Sequence, residues 1–191
     1  MAVRVRFLLV NNSEALSTLG LRSVETADVA FLLLWASDQE ITRNTLGRKF
    51  PSQRKAIRKW IRISNSGEYP SRLAFTLVTK NDQPVGLVQL DQIDWVARNA
   101  WLGIWIIPEF RGRGFGKDAM QQLLTKASNE FNLRQIRLLV RSDNTSAVGL
   151  YERLGFKIEG ELADCEYREG KYVNLQIFCR NLEAASPKSV S

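Results

Sequence analysis

The stretch Ile104-Trp105-Ile106-Ile107-Pro108-Glu109-Phe110-Arg111-Gly112-Arg113-Gly114-Phe115-Gly116-Lys117 limits what this chain can fold into more than any other. An apolar strand runs to Pro108, an Arg/Gly loop follows, and Lys117-Asp118-Ala119-Met120-Gln121-Gln122-Leu123-Leu124 opens a helix. Glycines let backbone approach a ligand closely, and the N–H groups of a first helical turn have no helical partner. A strand leading through such a loop into a helix is therefore an anion site. The helix, roughly 115–130, leads to the strand Gln135–Val140, which makes a βαβ unit. Its two strands should be parallel, with a right-handed crossover.

The rest of the chain reads as an antiparallel meander with two helices inserted. Leu19–Val24 is a first strand, and Thr26 can cap a helix through about Ser37. Pro51-Ser52 starts a second helix. There Arg54, Arg58 and Arg62 fall four apart with Lys55 and Lys59 beside them, and Ile57, Trp60 and Ile61 lie opposite. Leu73–Thr79 and Val85–Leu90 flank a turn at Asn81-Asp82-Gln83-Pro84, and Ala100–Ile107 is the next strand. Phe156–Ile158 and Val173–Cys179 close the fold around Glu169-Gly170-Lys171. Residues 1–16 form an arm, with a candidate edge strand at 3–10 that could contact a second copy in a homodimer. Residues 17–183 form one domain, and 184–191 a loose tail.

Composition removes several chemistries. There is no histidine, so Ser-His-Asp and Cys-His catalysis are excluded, and the two cysteines, Cys165 and Cys179, make no metal site. Both read as buried and inert, in a reducing compartment. No apolar run approaches the ~20 residues that span a bilayer, and Arg4 and Arg6 interrupt the only signal-like start. The sequence reads as cytoplasmic. The net charge of +7 is concentrated: nine cations against Glu68 between Arg43 and Arg72 give +8 there.

Three features together point to a family. Arg111-x-x-Gly114-x-Gly116 is followed about thirty residues later by Asn144-Thr145-Ser146-Ala147-Val148-Gly149-Leu150-Tyr151-Glu152-Arg153-Leu154-Gly155-Phe156. The first resembles the pyrophosphate loop of the GNAT acetyltransferases. The second resembles that family's N-x-x-A-x-x-L-Y-E-x-L-G-F signature. Leu102–Gly112 is similar to the fourth strand and bulge of the branch holding the ribosomal-protein and spermidine acetyltransferases. The resemblance covers about 17–182.

It implies an α/β (α+β) GNAT fold: a mixed, mostly antiparallel twisted sheet of about 6–7 strands with about four helices. A V-shaped parallel splay would separate the fourth and fifth strands. It also implies acetyl-CoA as co-substrate, without a metal. The pyrophosphate would lie on Arg111, Gly112, Arg113, Gly114, Phe115, Gly116 and Lys117, and pantetheine along Ile104, Trp105 and Ile106. Asn144, Ser146, Tyr151 and Arg153 would complete the cofactor site, with a backbone N–H near Ile106 polarising the thioester carbonyl. Tyr151 would protonate the departing thiolate, since phenol and thiol reference pKa values of ~10 and ~8.5 are close. Glu109 is the candidate base, with Asp91 and Asp94 as alternatives.

Acetyl transfer would then be direct attack of an amine, with no covalent enzyme intermediate. The basic 43–72 segment repels polycations and favours an amine on an anionic carrier, such as an amino-sugar nucleotide or a protein N-terminus on the ribosome. Polyamine or aminoglycoside acetylation, a longer acyl group lined by Trp105 and Phe110, and an RNA- or ribosome-associated module without transferase activity are the alternatives.

Overall fold

The structure is a computed structural model that describes residues 19–36 and 53–182. The 1–16 arm, Arg43, Arg48, Lys49, the helix start at Pro51-Ser52 and the 184–191 tail lie outside the described residues.

In chain order the strands are β1 Gly20–Ser23, β2 Arg72–Val78, β3 Pro84–Asp94, β4 Asn99–Ile106, β5 Gln135–Arg141, β6 Lys157–Arg168 and β7 Lys171–Asn181. The helices are α1 Val29–Ala36, α2 Arg54–Ile63, α3 Phe115–Asn129 and α4 Thr145–Arg153. Short 3-10 turns precede α1 at Thr26–Asp28 and follow β4 at Pro108–Phe110. The seven strands form one sheet in the order β1-β2-β3-β4-β5-β7-β6, and β4–β5 is its parallel pair.

Two cores sandwich this sheet. Alternation along β4 sends Leu102, Ile104 and Ile106 to the larger one, with α3, α4, Phe75, Ile136, Leu138 and Phe178. Trp105 faces the smaller one, with Val29, Leu32 and Trp35 of α1 and Ile57, Trp60 and Ile61 of α2. Gly86 is required between them: a Cβ there would stand 2.4 Å from the Trp105 carbonyl oxygen.

Helix α2 confirms its two stripes. Ile57, Trp60 and Ile61 are buried, whereas Arg54, Lys55, Arg58, Lys59 and Arg62 are exposed. Like charges four apart, and cations at a helix amino end, oppose helix formation by a few tenths of a kcal/mol each. Burying the three apolar side chains, worth about 1.5–3 kcal/mol each, outweighs that.

Four expectations are corrected. Thr26 does not cap α1, because it lies within the 3-10 turn and Glu25 is the N-cap residue. The irregularity expected in 102–112 sits at the other end of β4: register with β3 is unbroken from Trp101 to Ile106 and slips between Asp91 and Asp94, where Gln92 adopts φ 50°. β6 is far longer than Phe156–Ile158. As the outermost strand it is exposed along most of its length, and shifts at Ile158/Gly160 and Leu162/Glu166 break any period of two. Cys165 is therefore exposed rather than buried, while Cys179 is half-buried.

The start of α1 is tied to the sheet through Asp28. Its carboxylate accepts from Arg22 Nη1 (2.9 Å) and Nη2 (2.8 Å), Thr76 Oγ1 (2.7 Å) and the Glu25 N–H (2.9 Å). Burial pushes the carboxyl up, but Arg22, Glu25 and Thr76 outweigh it and hold it below the ordinary value. Asp28→Ala, which strips Arg22 of its buried partner, should cost about 3–5 kcal/mol in urea unfolding at pH 7. A depressed carboxyl favours the fold above its unfolded value of ~3.9 and loses that contribution as pH falls through the lower folded value. The gap between wild type and Asp28→Ala should accordingly narrow below about pH 4.

Candidate active site

The parallel contact between β4 and β5 is three residues long. Asn99 pairs with Gln135, Ala100 with Ile136 and Trp101 with Arg137. Beyond that, β4 pairs only with β3 as far as Ile106, and β5 only with β7 as far as Arg141. The strands part, and among the described residues no strand lies against the facing edge of 102–106. This is the expected splay.

Three groups stand around it. The first is the glycine loop. Gly112 (φ 71°) and Gly114 (φ 86°) take left-handed conformations that a side chain would strain. The first helical bond of α3 runs from the Asp118 N–H to the Gly114 carbonyl (3.1 Å), so the N–H groups of Phe115, Gly116 and Lys117 come before the helical ladder. Arg111 closes the loop back onto β4: its Nε donates to the Ile106 carbonyl (2.8 Å) and its N–H to the Pro108 carbonyl (3.1 Å). Beneath, the Phe110 and Phe115 rings stack at 5.8 Å, and the Arg113 guanidinium lies 5.6 Å from the Phe110 centroid.

The second group is the amino end of α4. Asn144 Oδ1 accepts from the Ala147 N–H (3.2 Å) and caps the helix, and its own N–H bonds the Arg141 carbonyl (3.0 Å). The Asn144 Nδ2 carries no hydrogen bond among the described residues. Arg141 and Asp143 form a two-point pair (2.9 and 2.7 Å) that stiffens the turn from β5 into α4. A Cβ at Gly116 would lie 3.5 Å from a Leu150 methyl, so α3 and α4 approach closely at this end.

The third group is Tyr151. Its ring packs 6.1 Å from both Phe156 and Phe178, and Phe178 pairs with Leu138, the first β5 residue past the splay vertex. Burial pushes the phenol up to about 12, so it stays protonated throughout the neutral range.

The remaining residues fall into place around these. Ile104 and Ile106 are half-buried on the α3 side of β4, and Trp105 turns to the α1 side. Gly112, Arg113, Gly114, Lys117, Ser146 and Arg153 are exposed. Glu109 is exposed on the 3-10 turn that follows β4, at the loop end of the strand. Asp91 and Asp94 are at the other end, opposite Trp101 and Asn99. Asp91 is buried and held at 3.1 Å by Arg72 Nη2, and Asp94 accepts from the Val96 and Ala97 N–H groups in a turn. About five to seven strand residues, or ~17–23 Å, separate them from the loop, and Asp91 stands opposite Trp101 at the vertex of the splay. Sequence reading underrated Gln89, a polar residue inside the apolar run Val85–Leu90 that the structure buries.

The sequence of residues 18–157 matches the acetyltransferase (GNAT) domain. The chain belongs to the GNAT acetyltransferase family. It is 28% identical over 161 residues to the spermidine N(1)-acetyltransferase of Vibrio cholerae, covering 84% of this chain and 91% of that one. It is 24% identical over 108 residues to the ribosomal-protein-serine acetyltransferase of Escherichia coli, covering 56% and 60%. The crystal structure of spermidine N-acetyltransferase from Vibrio cholerae in complex with CoA and spermine superposes with a TM-score of 0.80 at 25% identity, over 87% of this chain and 96% of that chain. This GNAT protein is an acetyl-CoA-dependent N-acetyltransferase with the family's sheet and parallel splay. Among the described residues, no helix is long and apolar enough to cross a membrane.

The raised Tyr151 value can be tested by stability. A phenol whose folded value exceeds its unfolded value of ~10 favours the fold below that value and loses the contribution as pH rises toward 12. Against Tyr151→Phe, wild type should lose about 2–3 kcal/mol between pH 10 and 12, measured by chemical denaturation at each pH.

Proposed function

We propose that this N-acetyltransferase acts in a ternary complex, without a covalent enzyme intermediate, on an amine carried by a protein N-terminus or an anionic small molecule such as an amino-sugar nucleotide. One observation carries the acceptor reading. α2 presents Arg54, Lys55, Arg58, Lys59 and Arg62 to solvent, no acidic residue lies in the helix, and no ion pair reaches these cations among the described residues. Such a face attracts an anionic carrier and repels a polycation.

The residues at the splay fit acetyl-CoA. The N–H groups of Gly112–Lys117, with Arg113 and Lys117, suit a pyrophosphate. Ile104–Ile106 offer a free strand edge to pantetheine, and Asn144 Nδ2, Ser146 and Arg153 line the α4 side. Arg111 acts indirectly, since its Nε is spent on the Ile106 carbonyl. When bound, acetyl-CoA supplies an acyl thioester open to attack by an amine.

Tyr151 holds a proton for the departing sulfur. Donation from a phenol near 12 to a thiolate of ordinary value ~8.5 would be uphill by about 5 kcal/mol. Burial among Leu138, Phe156 and Phe178 narrows that mismatch, because what raises the phenol also raises a thiol in the same place. The amine nitrogen forms its bond to the carbonyl carbon as the C–S bond breaks. The nitrogen's surplus proton goes to Glu109 or water, and the sulfur takes one from Tyr151.

A second reading has its own support. The likeness to spermidine acetyltransferases, at 28% over 84% of the chain, favours a polyamine acceptor. An acetyl-CoA consumption screen over N-terminal peptides, amino-sugar nucleotides, spermidine and aminoglycosides decides between them. Peptides or sugar nucleotides should lead, and a clear preference for spermidine would sink the anionic-carrier reading. Tyr151→Phe should lower kcat by about 100-fold or more while leaving acetyl-CoA affinity within about twofold. Full turnover by that variant would remove Tyr151 from the acid role.

A further inference from the structure

Gln89 interrupts the apolar run of β3. Register sets it between Ala74 of β2 and Gly103 of β4. Period-two alternation puts it on the same sheet face as Leu87 and Ala74, the face under α1 and α2. It is 9% exposed, and its Oε1 is buried with no hydrogen-bond partner. Its diagonal neighbour is Arg72. That guanidinium bonds Asp91 through Nη2 and lies 5.7 Å from the Trp60 ring centroid, and its Nε is likewise buried without a partner.

Aromatic walls flank this pair. The Trp105 indole folds back over Gly103, so that a Cβ there would stand 2.8 Å from the ring, and Trp35 meets Trp105 edge-on at 5.1 Å. Only glycine at 103 admits that ring. Leaving a buried acceptor and a buried donor unfilled costs desolvation free energy that leucine at 89 would avoid. Buried, unfilled polar groups beside aromatic side chains are the kind of lining a small-ligand subsite carries.

We propose that Gln89 Oε1 and Arg72 Nε form the acceptor subsite that reads a peptide-type amide, whose N–H donates to Gln89 and whose C=O accepts from Arg72. This rests on the acetyltransferase reading and narrows its acceptor to the amino end of a peptide. A polyamine offers donors alone and would leave Arg72 Nε unfilled. A polypeptide offers donor and acceptor on every residue. Gly103 is two residues from the vertex pair Trp101–Arg137, about 7 Å at ~3.3 Å per residue. The subsite therefore holds an amide about two residues into the acceptor, and the reacting amine lies at the vertex of the splay beside Tyr151.

The test uses the full chain, four-residue peptides, and analogues in which one amide at a time is reduced to a methylene amine. Wild type should prefer the intact peptide in kcat/KM by about tenfold over the analogue reduced at the second or third amide. Gln89→Leu should erase that preference to within about twofold. The same substitution should leave the urea midpoint equal or higher, because it removes an unsatisfied buried group; a purely structural Gln89 would lower it. A preference that survives in Gln89→Leu, or transfer to amino-sugar nucleotides or spermidine but to no peptide, overturns the proposal. Transfer to sugar nucleotides alone would leave the anionic-carrier reading standing, and transfer to spermidine alone would end both. Calorimetry of wild type with acetyl-CoA comes first, and absent binding would end the acetyltransferase reading and this proposal with it.

Discussion

Everything at this site depends on a parallel strand contact that stops after three residue pairs. Backbone N–H and C=O groups taken out of water need partners, and in a continuous sheet the neighbouring strand supplies them. Here β4 keeps β3 and β5 keeps β7, but past Trp101 and Arg137 neither has the other. The protein thus holds a strand edge open in its middle, where edges are normally closed. An edge at the rim invites another chain. An edge inside a cleft accepts only a thin, extended molecule with amides of its own, which is what pantetheine is.

The residues around that opening remove alternatives. Arg111 belongs to the glycine loop by sequence, but its side chain ties the loop to the Ile106 carbonyl. This ties the loop to the end of β4 and gives the Ile106 carbonyl a partner. Asn144 likewise holds the frame: its oxygen caps α4, and its nitrogen makes no hydrogen bond among the described residues. Tyr151 is held by aromatic rings, and the same rings keep its proton in place.

Much of this was legible before any coordinates. Glycine spacing at 112–116 and the Asn144–Phe156 run are local signals, set by backbone conformation and capping, and both appear where expected. The parallel pairing of β4 and β5 follows from the βαβ connection, whereas the splay between them is implied only by the family resemblance. What was illegible depends on tertiary neighbours. β6 has no alternation because most of it faces water on both sides. Asp91 looked free to act as a base because its partner Arg72 is nineteen residues away in sequence. That Gln89 lies buried between Ala74 and Gly103 is knowable only from register.

The alternation of β4 has a consequence for redesign. Leu102, Ile104 and Ile106 serve the core that carries α3 and the glycine loop, while Gly103 and Trp105 serve the opposite core. Side chains next to one another in sequence therefore answer to different packing constraints. If the face under α1 and α2 reads the acceptor, as proposed above, its side chains on β3 and the two helices can be exchanged without disturbing the packing beneath the glycine loop. A period of two then separates choice of amine from the frame that holds the acyl donor.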